Sequence, residues 1–136
     1  MESLRQLFYL SRACETLTDP DLQRILHISR RNNRRMDVTG CLLYSGKHFG
    51  QVLEGHSAAL SELIDRIAVD QRHSAFLIAI DRPLPRRSFS DWSMGILYSL
   101  DVADRMEEIL SQRTAWEESA LQLLPEMRPD PVIGRL

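Results

Sequence analysis

An α+β domain built on one antiparallel sheet is what this sequence predicts, from three observations. Short apolar runs with turn residues between them mark strands, and two longer segments repeat apolar residues at helical spacing. Their order is β-α-β-β-α-β, followed by one more strand. At 136 residues the chain suits a single well-buried domain and is short for two. An apolar fraction of 43% and a charged fraction of 26% are ordinary for a globular protein. A formal net charge of -2 removes any global electrostatic case for nucleic acid or an anionic membrane.

No apolar run approaches the roughly 20 residues that span a bilayer. The N-terminus, MESLRQ, lacks the basic-then-apolar layout of a signal peptide, so a cytoplasmic location is expected. Cys14 and Cys41 stand without a CxxC or His-rich context and suggest neither a disulfide framework nor a zinc site.

Leu4 to Ser11, LRQLFYLS, reads as a strand with apolar residues on both faces, and Tyr9 shares a face with Leu7 and Ser11. Thr18-Asp19-Pro20 then signals a helix start, with Thr18 or Asp19 as cap and proline in the first turn. Leu22, Ile25, Leu26 and Ser29 form the inner stripe of a helix running to about Asn33. Its end is the run Arg30 to Arg35, RRNNRR. Cations favour a helix C-terminus and asparagine is common there, which accounts for one or two of the six. Guanidiniums beside amides can also hold a phosphate and read the imide edge of a planar heterocycle.

Val38–Tyr44 and Lys47–Leu53 flank Ser45-Gly46 and read as a hairpin. In its second strand Phe49, Gln51 and Leu53 point to one face, which puts a primary amide among large apolar groups. Such an amide must be hydrogen-bonded, either as a satisfied core glutamine or to a ligand. Glu54-Gly55-His56-Ser57 is expected to turn the chain into a second helix with a Leu60, Leu63, Ile64, Ile67 stripe. Arg66, Asp70 and Arg72 near its end read most simply as a solvated face, and His73 as a surface or capping residue. Ala75–Ile80 is a fourth strand, and Arg82–Arg87, RPLPRR, a stiff basic loop. Trp92–Tyr98 is a fifth strand with Trp92, Met94 and Ile96 on one face.

This order matches the split βαβ, ferredoxin-like motif, with both helices on one face of the sheet. The other face needs a cover, and Asp101–Gln112 and Ala115–Leu124 are amphipathic segments able to supply it. Residues 99–124 are thus expected to be a helical extension and 125–136 an irregular tail, with Pro129 and Pro131 close together.

The assembled residues resemble the blue-light-using flavin (BLUF) family of photoreceptors. The pieces are FYLSRA around Tyr9, SRRNN at 29–33, VTGCLLYSGKHFGQVLEG at 38–55, DRIAVDQRH at 65–73 and FSDWSMG at 89–95. They cover roughly the first hundred residues, so 1–98 would be the photosensory domain. The FGQVLEG strand, the WSM strand and the upstream tyrosine carry the match together.

The resemblance implies non-covalently bound FAD, with FMN or riboflavin as other forms. It makes Tyr9 the photochemical tyrosine and Gln51 the switching glutamine. Asn33 and Asn32 would meet the ring's edge, and Ile25 and Ile67 would flank it. Arg31, Arg66, Arg72 and His73 would lie toward the ribityl-phosphate end, and Trp92 and Met94 would relay the signal. Light would drive electron and proton transfer from Tyr9, leaving the Gln51 amide rearranged. The implied output is a protein partner met through light-dependent association, with self-association expected, and no attached catalytic domain. One departure is Met36-Asp37, where the family often has Asn-Gly before its (I/V)TG, so the loop lacks a glycine's access to positive φ.

Other readings fit less well. An RNA-binding module shares the element order but needs exposed aromatics on a basic sheet face. A phosphate-ester enzyme needs an organised nucleophile and base, and a redox flavoprotein needs a second substrate site. None is evident.

Overall fold

The computed structural model describes residues 3–89, 94–112 and 116–127. The chain enters as β1 (Leu4–Ala13), α1 (Asp19–Met36), β2 (Thr39–Tyr44), β3 (His48–His56), α2 (Ser57–Ala68) and β4 (His73–Pro83). It continues as β5 (Gly95–Tyr98), α3 (Ala103–Gln112) and α4 (Trp116–Leu123), closed by a 3-10 turn at Leu124–Met127. The strands lie in the order β4-β1-β3-β2-β5, so the ferredoxin-like arrangement is present.

The sheet is mixed, not wholly antiparallel, because β5 pairs parallel to β2. The reason is geometric. β5 joins the edge of the sheet away from β4 and runs opposite to it. β2 already runs opposite to β4, since each neighbouring pair from β4 to β2 is antiparallel. Trp92, expected within this strand, lies outside the described residues; Met94 sits in a bend just before it.

Period-two alternation sorts the strand side chains into two cores. Leu7, Tyr9, Leu42, Phe49 and Leu53 pack toward α1 and α2 with Leu22, Leu26, Leu60 and Leu63. Phe8, Leu10, Cys41, Leu43 and Val52 pack toward α3 and α4 with Met106, Ile109, Leu110 and Leu123. The described sheet is therefore covered on both faces, which leaves no open aromatic platform for RNA.

α1 is capped as its sequence indicates. The Thr18 hydroxyl accepts from the Asp21 N–H, the Asp21 carboxylate accepts from the Thr18 N–H, and Pro20 lies in the first turn. The helix runs one turn past Asn33, with Arg34 and Arg35 in its last turn, where cations suit the dipole. Asp37 then takes a left-handed conformation, φ 55°, and its N–H bonds back to the carbonyls of Asn33 and Arg34. The glycine missing from this loop is replaced by an aspartate that adopts the same backbone region.

Three strands are longer than their apolar runs, and the first of them, β1, reaches Ala13. β3 continues through Glu54-Gly55-His56, where the sequence suggests a turn, because β1 pairs with it as far as Leu4–His56. β4 starts at His73, since a bulge with Ala75 at φ 55° lets His73 and Ser74 rejoin β1. It ends at Pro83, tolerated on an edge strand.

Buried polar groups fix the crossing from β4 to β5. Glu54 is fully buried; one carboxylate oxygen accepts the backbone N–H groups of Ser88 (2.7 Å) and Phe89 (2.8 Å). The other accepts from Gln6 Nε2 at 2.7 Å, while Gln6 Oε1 accepts from Arg82. Arg87 donates to the carbonyls of Glu54 and Asp37 and to the Thr39 hydroxyl. Glu54→Gln would set its new amide N–H groups against those of Gln6, and flipping Gln6 would set that conflict against Arg82. Urea unfolding should show a loss of about 1–3 kcal/mol, the cost of a buried donor without an acceptor.

Candidate functional site

Tyr9 and Gln51 are directly opposite each other across the β1–β3 ladder, and Gln51 is also opposite Leu42 of β2. Both side chains face the helices, and both are buried. The Tyr9 hydroxyl donates to Gln51 Oε1 at 2.7 Å, and Gln51 Nε2 donates to Met94 Sδ at 3.3 Å. The phenol can donate only to the amide oxygen, so this orientation of the amide gives both of its ends a partner. The bonds are unequal, because a thioether sulfur is a weak acceptor. Among the described residues they use one amide N–H and one lone pair of its oxygen.

Burial pushes the Tyr9 phenol above its ordinary pKa, and the Asp70 carboxylate adds to the shift. It is therefore a protonated donor at any physiological pH. Its ring packs against Phe76, centroids 5.0 Å apart, and meets His73 edge-on at 6.0 Å. His73 is held at both nitrogens. Its Nε2–H donates to the Ile67 carbonyl at 2.6 Å, since a carbonyl only accepts, and Nδ1 lies 2.7 Å from the Ser11 hydroxyl.

Above this pair lies a cleft between α1 and α2, with about 830 Å³ of space free of atoms, part of it open to solvent. Ile25 and Ile28 of α1 and Leu63 and Ile67 of α2 form apolar walls. Asn32 and the buried Asn33, in the last turns of α1, bring two more amides to it. Arg66, Asp70, Arg72 and His73 complete the lining. Arg72 Nε donates to Asp70 at 2.9 Å, and bonds from Arg72 hold the Asp70 carboxyl below the usual carboxylate range. Arg66 pairs with Glu62 at 2.8 Å on the surface.

The structure thus gathers Tyr9, Ile25, Asn32, Asn33, Gln51, Arg66, Ile67, Arg72 and His73 around one cleft. Arg31 is not among them. It is exposed and lies about 200° around the helix from Asn33, at 3.6 residues per turn. The sequence reading missed Ile28, Ser29, Leu42, Phe49, Leu63 and Asp70 as lining residues. Helical spacing could have found Ile28 and Ser29 from Ile25, and Leu63 from Ile67.

The donor set fits a planar heteroaromatic group with an amide-like edge. Apolar walls can face its two sides, and three amides and a phenol converge on its rim. Among the described residues no cluster of His, Cys, Asp and Glu could hold a metal ion.

Fold and cleft together define a small ferredoxin-like domain with a ligand slot between its helices. The family model of BLUF, sensors of blue light using FAD, matches residues 4–95, and the chain belongs to that family of flavin photoreceptors. It is 35% identical to BlrB, a BLUF protein solved in its dark state, with a TM-score of 0.74 over 90% of this chain and 93% of that one. A bacterial light-regulated adenylyl cyclase is 29% identical, with a TM-score of 0.69, over 96% of this chain and 38% of the cyclase. The photoactivated adenylate cyclase subunit beta of Euglena longa is 30% identical over 128 residues, 91% of this chain. The chain spans 15% of that relative's length.

The raised pKa of Tyr9 has a measurable sign. Its stabilising contribution is complete below the unfolded value of 10.0 and is lost as pH rises through the higher folded value. Phenolate absorbance should show no Tyr9 ionisation near pH 10 while the chain is folded. Wild type and Tyr9→Phe should then titrate alike up to that pH, and a difference between them there would place Tyr9 in a wetter site.

Proposed function

We propose that the chain senses blue light through FAD held non-covalently in the cleft, and passes the signal through Gln51 and Met94 to β5 and the C-terminal helices. The supporting observation is the continuous chain from Tyr9 through the Gln51 amide to the Met94 sulfur, at the start of β5. Asn33, Asn32 and Gln51 would hold the ring's polar edge, and Ile25 and Ile67 its faces. Arg66 and Arg72, at the mouth, would meet the ribityl-phosphate end. His73, with both nitrogens engaged, would offer only its ring. FAD is favoured over FMN or riboflavin by the family's description.

Bound there, the flavin supplies the blue-light chromophore and an excited state able to take one electron. Tyr9 is the oxidisable group, and the bond from its hydroxyl to Gln51 Oε1 is the path by which its proton leaves and returns. The Gln51 amide can reorient because the bond it gives up at Met94 is weak. Its two ends differ, one donating and one accepting, so reorientation changes which neighbours receive a hydrogen bond. The change amounts to one or two buried hydrogen bonds, about 1–3 kcal/mol. That is enough to bias an element already poised between two arrangements.

The output we propose is light-dependent association with an effector protein or domain, with self-association of the sensor as a second element. Both cyclase relatives contain a stretch like this chain within a larger protein, which supports an effector partner. The location is taken to be cytoplasmic.

Purified protein reconstituted with FAD should show flavin absorption that shifts slightly and reversibly to the red under blue light. Gln51→Leu should keep the flavin and lose the shift, and a normal shift would remove Gln51 from the switch. Tyr9→Phe should likewise abolish the normal photocycle, judged by the same spectra.

A further inference from the structure

Neither the helix dipole nor the cleft explains Arg30 and Arg31 of the basic run, and of the two Arg31 is exposed while Arg30 is half-buried with a distant partner. Arg30 sits nearly two turns before the end of α1 and does not line the cleft. Its Nε donates to the backbone carbonyl of Met94 at 3.0 Å, across a sequence separation of 64 residues. Met94 lies in a bend, and the parallel ladder with β2 begins only at the next residue, Gly95. Its carbonyl is held by a side chain from α1. The methionine is thus gripped at two points, its carbonyl by α1 and its sulfur by the Gln51 amide of β3.

We propose that Arg30 is a positioning residue of the light switch. By pinning the Met94 backbone it keeps the Met94 sulfur where the Gln51 amide finds it in the dark orientation. This rests on the photoreceptor reading above.

The chemistry favours such a role. A methionine side chain has three rotatable bonds and does not fix its own sulfur. A guanidinium is permanently charged, and its hydrogen bond to a carbonyl is charge-assisted, hence stronger than the amide–thioether bond it complements. When Gln51 reorients, the sulfur contact is given up and the Arg30 contact remains. The Met94 backbone then stays in its dark position, the sulfur remains within reach of the amide, and the return is fast. Without Arg30, Met94 must be recaptured before the amide can return.

The test measures thermal recovery of the red-shifted state in the dark, in the flavin-loaded full chain. Arg30→Ala should leave the dark spectrum unchanged and slow recovery at least threefold. Arg30→Lys, which keeps a charged donor without the planar fork, should fall between. In a Met94→Ala background the carbonyl is still held but the sulfur is gone, so Arg30→Ala should have no further effect on recovery. A merely structural arginine would act equally in both backgrounds. Amide hydrogen exchange in Gly95–Tyr98, followed in the dark without flavin, should be faster in Arg30→Ala.

Recovery that is unchanged or faster in Arg30→Ala overturns the proposal. So does an equal slowing in the Met94→Ala background, or unchanged exchange in β5. A parent chain that shows no light-induced shift removes the photoreceptor reading and this proposal together. With a parent that shifts normally, a failed prediction counts against the role of Arg30 alone.

Discussion

The hydrogen bond between Tyr9 and Gln51 joins two buried side chains, and much of the fold serves to hold that bond in place. A phenol and an amide buried apart would each cost a few kcal/mol, so they must meet. They meet because β1 and β3 pair without interruption from Leu4–His56 to Arg12–His48. A slip of one residue would send both side chains to opposite faces. The irregularities of the sheet fall instead on the β1–β4 side, where the register shifts on either side of Tyr9. There a bulged edge strand can adjust, and Phe76 comes to pack on the Tyr9 ring.

The same alternation that aims Tyr9 and Gln51 at the cleft aims their neighbours at α3 and α4. Phe8 and Leu10 flank Tyr9 in sequence and belong to the other core. Gly50, next to Gln51, has no side chain, and the space its Cβ would occupy is approached to 3.2 Å by the end of Met106 from α3. α3 thus rests almost on the backbone of the strand that carries the amide. Motion of that strand would be felt directly behind the sheet, in close-packed matter that passes displacement on. This makes α3 a physically reasonable receiver for the proposed signal.

How much could be read from the residues divides along the same lines. Elements with one dominant cause were legible. Thr18-Asp19-Pro20 marked the start of α1, Ser45-Gly46 the hairpin, and period-two alternation the face of Gln51. The amphipathic stripe of residues 101–124 foretold the cover on the second face. What was not legible depended on partners distant in sequence. The length of β3 beyond Leu53 follows from β1 reaching back to Leu4, and the parallel β5 from its pairing with β2 on the edge away from β4. Within the site, the residues carried by resemblance mostly gather at one cleft, while Arg31 turns away because two positions along a helix are nearly opposite. The partners of Arg30 and Glu54 lie 34 to 64 residues away, and no local pattern announces them.

Those two side chains suggest why the junction into β5 can act as a two-position element. An apolar contact is non-directional and yields gradually as atoms separate. A hydrogen bond weakens steeply with angle and so is effectively made or broken. Around the start of β5, directional bonds stand out: Glu54 holds the backbone of Ser88 and Phe89, Arg30 the carbonyl of Met94, and Gln51 its sulfur. Three of these bonds involve strong acceptors and hold their geometry. The bond to sulfur is the weak one, and it is the bond attached to the group that light would reorient. A switch that spends a small free energy gains most by acting on the weakest of several discrete restraints, because the others keep the alternative arrangement close and the return unobstructed.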